Sequence, residues 1–311
     1  MRSGPFALIL TLIAACIFFI TRWIDSSYLF FAGYVVLQFI VLGTAWNILG
    51  GYTGYVNFGI TAFFAIGAYS TVFLHKTVPF VPLPVMMILG GVLAGLVGVG
   101  TGYLTLRLRG VFFSIATLAL AVVVQTLITN WDFVGGARGA YVLRPRTAPL
   151  IGGEYMHYLF LIMLVMCVIS LTVARAIERS SLGYGFAAIR DDEAAAEASG
   201  VPTLRLKLIA TGLSGGFMGL AGAPLPYYVT YLDPASGFNL NYAVNAIAMP
   251  LIGGTGSWLG PVLGAVLVGG LQEWLRVTIS SAVNVLVAGV LMVAFVIAAP
   301  QGIVGLFQRK R

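Results

Sequence analysis

Eight stretches of this 311-residue chain contain no charged residue, and they constrain the fold more than any other feature. A helix that crosses the hydrocarbon of a membrane needs about 20 mostly apolar residues. Six stretches have room for one such helix each, and two have room for a pair in which one member is short or broken. The sequence therefore predicts an all-α integral membrane protein with about ten transmembrane or partly broken helices. The stretches are 4–21, 26–74, 77–106, 110–131, 155–174, 208–232, 234–272 and 277–308.

The composition supports a single membrane domain over residues 1–311. Only 9% of the residues are charged, against about a quarter in an ordinary soluble domain. Spanning β-strands would show polar residues at alternate positions, and the sequence has no such alternation. The net charge of +7 arises from basic residues between the predicted helices, not along one face. It therefore indicates orientation in lipid and no affinity for nucleic acid.

The positions of Lys and Arg predict the topology. With ten crossings and an inner N-terminus, eleven of the 17 basic residues fall on the inner side and six on the outer side. Lys and Arg are enriched in cytoplasmic loops. Both termini are therefore predicted to be cytoplasmic. The segment 132–154 becomes an extracytoplasmic loop, either a folded cap or a mobile loop, and 178–206 becomes a cytoplasmic coupling segment.

The cytoplasmic segment contains a short helix with a stop signal at each end. Asp191 or Asp192 can cap its first turn, alanines favour its body, and Gly200 followed by Pro202 ends it. A helix of about two turns is marginal in water, so something must pack on it. It either rests on its own bundle or docks a cytosolic partner through a small alanine face. The candidate coupling residues are Arg190, Asp191, Asp192, Glu193, Ala195, Glu197 and Gly200.

Two glycine-rich interruptions, at 50–59 and 253–261, divide the two longest uncharged stretches. Paired breaks point to the substrate region of transporters, and here they favour a parallel internal repeat. Tight turns or close glycine packing are the alternative. Uncharged polar side chains can bind a polar solute, although each can also bond a neighbouring helix. The candidate path residues are Gly54, Asn57, Ser114, Thr117, Thr211, Ser214, Asn245, Gly254 and Gly256.

The sequence predicts no catalytic residue, metal site or cofactor on this chain. His75 and His157 lie near outer helix ends and have no neighbours at metal-ligand spacing. There is no Gly-x-x-x-x-Gly-Lys-Ser/Thr phosphate loop. Mid-span positions lack the ionisable residues that proton-coupled carriers use, and Glu273 lies near a helix end beside Arg276.

The run 182–201 resembles the cytoplasmic coupling loop of ABC importer permeases, in the version found in branched-chain amino acid permeases of the LivM type. The segments 47–59, 63–69, 106–118, 253–261 and 300–306 are similar to the same family in the same order. The general importer motif is Glu-Ala-Ala, three arbitrary residues and Gly. Gly200 aligns Ala194 with the Glu of that motif, whereas Glu193 lies one residue early.

The resemblance implies an ABC importer for branched-chain or other hydrophobic amino acids in a prokaryotic cytoplasmic membrane. Its other subunits would be a second, related permease, two cytosolic ATPases that bind ATP and Mg, and an extracytoplasmic solute-binding protein. An importer for urea or short amides is the nearest alternative, because urea permeases share these motifs. A stand-alone channel or secondary carrier is an alternative of a different class, and it would lack neighbouring ATPase and binding-protein genes.

Overall fold

The computed structural model describes residues 3–24, 26–78, 80–105, 110–145, 153–278, 289–290, 293 and 302–308. Most of them are helical. The helices are α1 (Ser3–Ile24), α2 (Ser27–Thr53), α3 (Ile60–Thr77), α4 (Leu83–Thr105), α5 (Val111–Thr129), α6 (Tyr155–Glu178), α7 (Ser181–Asp191), α8 (Glu193–Ala198), α9 (Thr203–Gly222), α10 (Leu225–Val229), α11 (Pro234–Gly237), α12 (Leu240–Gly253), α13 (Leu259–Gly264), α14 (Gly270–Thr278) and α15 (Gly302–Gln308).

The all-α membrane class is confirmed. Among the described residues, six helical segments are long and apolar enough to cross a membrane: 4–24, 27–53, 83–105, 111–129, 155–178 and 203–229. The two longest uncharged stretches are each divided as predicted, between α2 and α3 and between α12 and α13. A π-helical turn, Ala265–Gly269, joins α13 to α14. The last predicted crossing falls within 277–308, most of which lies outside the described residues.

Helix α9 packs against α3 and α4 through glycines. A Cβ atom at Gly67 of α3 would lie 1.9 Å from the carbonyl oxygen of Gly219, and one at Gly222 would lie 2.0 Å from the carbonyl oxygen of Phe64. A Cβ at Gly98 of α4 would lie 2.9 Å from the Thr211 carbonyl. Lipid provides no hydrophobic force between helices, so small residues that permit close backbone approach stabilise such contacts. We call this contact the glycine seam.

The two ends of the bundle differ. One end carries α7, α8 and both helix breaks, and we call it the coupling end. The other carries two short strands, β1 (Ala140–Tyr141) and β2 (Tyr231–Leu232), which pair antiparallel. Beside them the predicted outer loop folds into two 3-10 turns over 132–134 and 136–138, while 146–152 lie outside the described residues. Which end faces the cytoplasm stays a prediction.

The coupling segment forms two helices where the sequence predicted one. Asp192 ends α7 and caps α8, since its Oδ1 accepts from the amides of Ala194 and Ala195 at 2.9 and 3.0 Å. At the other end Gly200 is left-handed, with a φ of 85°. Its amide bonds the Glu197 carbonyl, and the next amide bonds the Ala196 carbonyl, the Schellman pattern of helix termination.

The local sequence predicts helix α7 only weakly, because glycines occupy two of its first five positions. Glycine destabilises a helix interior by about 1 kcal/mol relative to alanine. Phe186 and Ile189 of α7 are nevertheless buried in the core of the bundle. The helix therefore depends on tertiary packing, which the local sequence does not reveal.

Candidate coupling and translocation site

Arg190, in the last turn of α7, lies against both helix breaks. Its Nη1 donates to the carbonyl oxygen of Gly51 at 3.5 Å. Its Cγ lies 3.1 Å from where a Cβ of Gly54 would be, and its Nη1 lies 3.2 Å from the corresponding point at Gly256. On its exposed side the guanidinium pairs with Asp191 at 3.4 Å. The structure thus brings a predicted coupling residue together with one predicted path glycine from each break.

Two hydroxyl groups of α5 hold the backbone of the first break, residues 54–59. Ser114 Oγ donates to the carbonyl oxygen of Val56 at 2.8 Å. Thr117 Oγ1 accepts from the amide of Phe58 at 3.0 Å. Interruption of a helix at membrane depth leaves backbone groups that must find partners in the protein or in a water-filled cavity. Both candidate path residues therefore act here as backbone supports.

Asn57 lies inside the first break and is 1% exposed. Its Oδ1 accepts from the amide of Gly59 at 2.7 Å, which prepares the start of α3. Its own carbonyl accepts from Trp46 Nε1 at 3.0 Å. Its Nδ2 makes no hydrogen bond within the described part of the chain. The Nδ2 group is therefore free to donate a hydrogen bond to a transient partner, since buried polar groups normally have one.

The second break, residues 254–258, is held differently. Asn47 of α2 donates from Nδ2 to the carbonyl of Ser257 at 3.0 Å and accepts at Oδ1 from the amide of Gly256 at 3.2 Å. A Cβ at Gly253 would lie only 1.8 Å from the carbonyl oxygen of Gly260. Glu178 of α6 accepts at Oε2 from the amide of Trp258 at 3.3 Å. The break is therefore closed by backbone contact and fastened by two side chains. Asn47 was not among the candidate site residues, although an amide at the end of a span was a visible signal.

Gly254 begins the second break, with a φ of 120°. The other three path candidates make no hydrogen bond to either break within the part of the chain that the structure describes. Thr211 Oγ1 bonds a carbonyl of its own helix at 2.8 Å. Asn245 accepts from Gln272 at 2.9 Å and so links α12 to α14. Ser214 is fully buried, and its hydroxyl makes no hydrogen bond to any described residue. Their role in a translocation path stays a prediction.

The charged residues of the coupling segment divide into two groups. Asp191 and Glu197 are exposed, as is Ala195 on the outer face of α8. Glu193 instead points inward, where its Oε1 contacts Lys207 Nζ of α9 at 2.6 Å. Its other oxygen accepts from the hydroxyl of Tyr55. The exposed face of α8 therefore consists of small and acidic residues without Glu193.

Two apolar cavities lie elsewhere in the bundle. One, of about 410 Å³, lies between α3, α4 and α5 and is lined by Ile66, Tyr69, Phe73, Leu89 and Trp131 among others. The second, about 580 Å³, lies between α1, α2, α6 and α14. No candidate path residue is among the described residues that line either cavity. The path candidates are therefore separate from these apolar spaces.

Residues 27–296 match the family model described as the branched-chain amino acid transport system permease component. The chain belongs to this family. It is 29% identical over 296 residues to the high-affinity branched-chain amino acid transport system permease protein LivM of Escherichia coli K12. It is 30% identical over 299 residues to the protein of the same name from Salmonella typhimurium LT2. Both alignments cover 86% of this chain and 68% of the relative.

A more distant relative is a probable ABC transporter permease protein of Sinorhizobium fredii. It is 28% identical over 198 residues, which cover 58% of this chain and 56% of the relative. No solved structure matches. Together with the apolar helices, the family makes this chain a multi-pass permease of the inner membrane.

Proposed function

We propose that this permease is the translocation subunit of an ATP-driven importer for branched-chain or other hydrophobic amino acids. The observation that carries the proposal is the position of Arg190, which joins the coupling segment to both helix breaks. A movement of α7 and α8 then reaches both breaks directly. The names of the two LivM relatives support the choice of solute.

The energy source in this proposal lies on other chains. The sequence has no phosphate loop, so ATP and Mg would bind two cytosolic ATPase subunits. A second, related permease and an extracytoplasmic solute-binding protein complete the importer. The exposed face of α8, formed by Ala194, Ala195, Glu197 and Ala198, is small enough for close approach of an ATPase surface. The coupling end and both termini would then face the cytoplasm.

Ala195→Arg tests this assignment. Ala195 is exposed in the permease itself, so the substitution leaves the fold of the isolated chain intact. In a close-packed interface the same arginine becomes a buried, unpaired charge, which is costly. We expect the variant to insert normally and to lose either co-purification of the ATPase or solute-stimulated ATP hydrolysis in proteoliposomes.

Ala195→Gly is the matched control. It adds no charge or volume and weakens α8 by about 1 kcal/mol, so it should retain most of the coupling. Uptake of labelled leucine and of labelled urea by the wild-type complex tests the solute. Wild-type ATPase binding and stimulation in Ala195→Arg would contradict the docking role of α8, and uptake of urea without leucine would contradict the solute.

A further inference from the structure

Lys207 is a buried cation at the coupling end that the proposed function does not use. Its side chain is 4% exposed, and that of its partner Glu193 is 14% exposed. The ammonium lies 3.4 Å from the hydroxyl of Tyr55 and 5.0 Å from the centre of the Tyr55 ring. The hydroxyl donates in turn to Glu193. Three elements, namely α8, α9 and the first break, thus meet at one ion pair.

The attachment of α8 to the bundle depends on this ion pair. Of the six residues of α8, all of which the structure describes, Ala196 alone is buried. One alanine provides little apolar contact. Buried charges pay a desolvation cost that only a close partner and further hydrogen bonds offset. The pair therefore fixes α8 in one position relative to α9 and Tyr55.

Tyr55 carries the connection into the break and beyond it. It is the second residue of the segment 54–59 and is 8% exposed. Its ring packs edge-on against Phe113 of α5, with centroids 5.2 Å apart. The same helix supports the break through Ser114. A displacement of α8 is therefore passed through Glu193 to Tyr55 and then to the break and α5.

We propose that Lys207 is a positioning residue for energy coupling: with Glu193 it transmits movement of α8 to the break between α2 and α3. The inference rests on the proposed function insofar as α8 is the element that an ATPase moves. It differs from that proposal because it assigns Glu193 to an internal link and not to the docking surface. Arg190 contacts the backbone ends of the breaks, whereas Lys207 acts through the side chain of Tyr55.

Chemical labelling of the first break tests the proposal. Val56, which is 37% exposed, is replaced by cysteine in a chain that carries Cys16→Ser and Cys167→Ala. The complete transporter is reconstituted, and the rate of reaction with a small maleimide is measured with and without ATP plus vanadate. We expect the wild-type rates to differ by about fivefold or more, the lower range of allosteric coupling. Lys207→Met and Glu193→Gln should reduce the ratio to about 1.

The controls separate coupling from folding. Lys76→Met makes the same substitution at an exposed position of the opposite end and should keep the wild-type ratio. The exchange variant, Glu193→Lys with Lys207→Glu, should restore the labelling ratio to more than half of the wild-type value. If the Lys207 and Glu193 variants do not assemble, Tyr55→Phe replaces them as the test, because it keeps the ring and loses only the hydroxyl. A lower labelling ratio in Tyr55→Phe supports the proposal, and a wild-type ratio contradicts it.

The labelling ratio does not depend on the transported solute, so it is read separately from uptake. An unchanged ratio in assembled Lys207→Met, or the absence of an ATP effect in the wild type, would overturn the proposal. A lower melting temperature with an unchanged ratio would likewise reduce Lys207 to a purely structural role. Failure of leucine uptake with a normal ratio would count against the proposed function alone.

Discussion

The two helix breaks differ in how closely backbone packs against backbone. The first, residues 54–59, is supported by side chains from other elements: Ser114 and Thr117 of α5, and Glu193 through Tyr55. The second, residues 254–258, is also held by side chains, those of Asn47 and Glu178. In addition, it is closed by glycine backbone that touches backbone at Gly253 and Gly260. Side chains can rotate and follow a moving neighbour, whereas two backbones in contact cannot pass each other. We infer that the first break is the movable one and the second is a fixed pivot.

Alanine at Gly253 should have the largest effect on stability. The new Cβ would lie 1.8 Å from the Gly260 carbonyl oxygen, and no side chain can yield. Overpacking usually costs about 1–3 kcal/mol of unfolding free energy, and the loss here should be larger. At Gly54 the neighbour is the flexible Arg190 side chain. Gly54→Ala should therefore lower the unfolding free energy by only about 1–2 kcal/mol, the cost of holding a residue with a Cβ in the left-handed conformation.

Thermal unfolding of the two purified variants in the same detergent measures the difference. If Gly54→Ala proves as destabilising as Gly253→Ala, the two breaks are equally rigid and the distinction fails.

Removal of the Asn47 side chain should have an intermediate effect. Asn47→Ala leaves the amide of Gly256 and the carbonyl of Ser257 without their partner. A polar group left unsatisfied in the interior costs about 1–3 kcal/mol. We expect a loss near 2 kcal/mol and faster hydrogen exchange at the Gly256 amide. Asn241→Ala, at an exposed position in α12, is the control, and equal exchange rates in both variants would show that Asn47 does not hold the second break.

The smallest stability effect is expected at Ser114. Ser114→Ala removes the donor to the Val56 carbonyl, but the site is partly exposed and water can replace the hydroxyl. The cost should be about 0.5 kcal/mol, the low end for a single hydrogen bond. The maleimide reaction of cysteine at Val56 should nevertheless accelerate, because the first break is looser. Thr126→Val, whose hydroxyl bonds its own helix, should change neither quantity; a slower reaction in Ser114→Ala would contradict this role.

The helical membrane fold and both breaks were predictable because, in lipid, backbone groups must be hydrogen-bonded within the protein, which leaves few structures possible. Long uncharged stretches must be helices, and two of them are too long for a single span. Their glycine-rich segments are the natural places for a break, although glycines alone do not decide, because α4 and α9 are glycine-rich and continuous. The cap at Asp192 and the helix end at Gly200 were likewise predictable from the local sequence. Helix α7 was missed, since its formation depends on burying Phe186 and Ile189 against distant parts of the chain.

The candidate site was harder to predict for a physical reason. Lys207 follows Arg205 closely and looks like another cytoplasmic surface charge in the sequence. Its burial depends on Tyr55, which lies far away in the chain. The sequence identifies Ser114 and Thr117 as candidate path residues, but only the structure places them at the first break and distinguishes a hydroxyl that supports backbone from one that faces a solute.

The glycine seam imposes an order on biogenesis. Helices α3 and α4 leave the ribosome well before α9, with α5 to α8 synthesised in between. Until α9 arrives, the glycine faces of α3 and α4 remain open to lipid or to an insertion chaperone. Contacts between segments so distant in sequence are slow to form, because the entropy of closing the intervening loop is lost before the contact is gained. Closure of the seam by α9 is therefore the step that turns an inserted chain into an assembled one, and a nascent chain that stops before Thr203 should be recognised as unfinished.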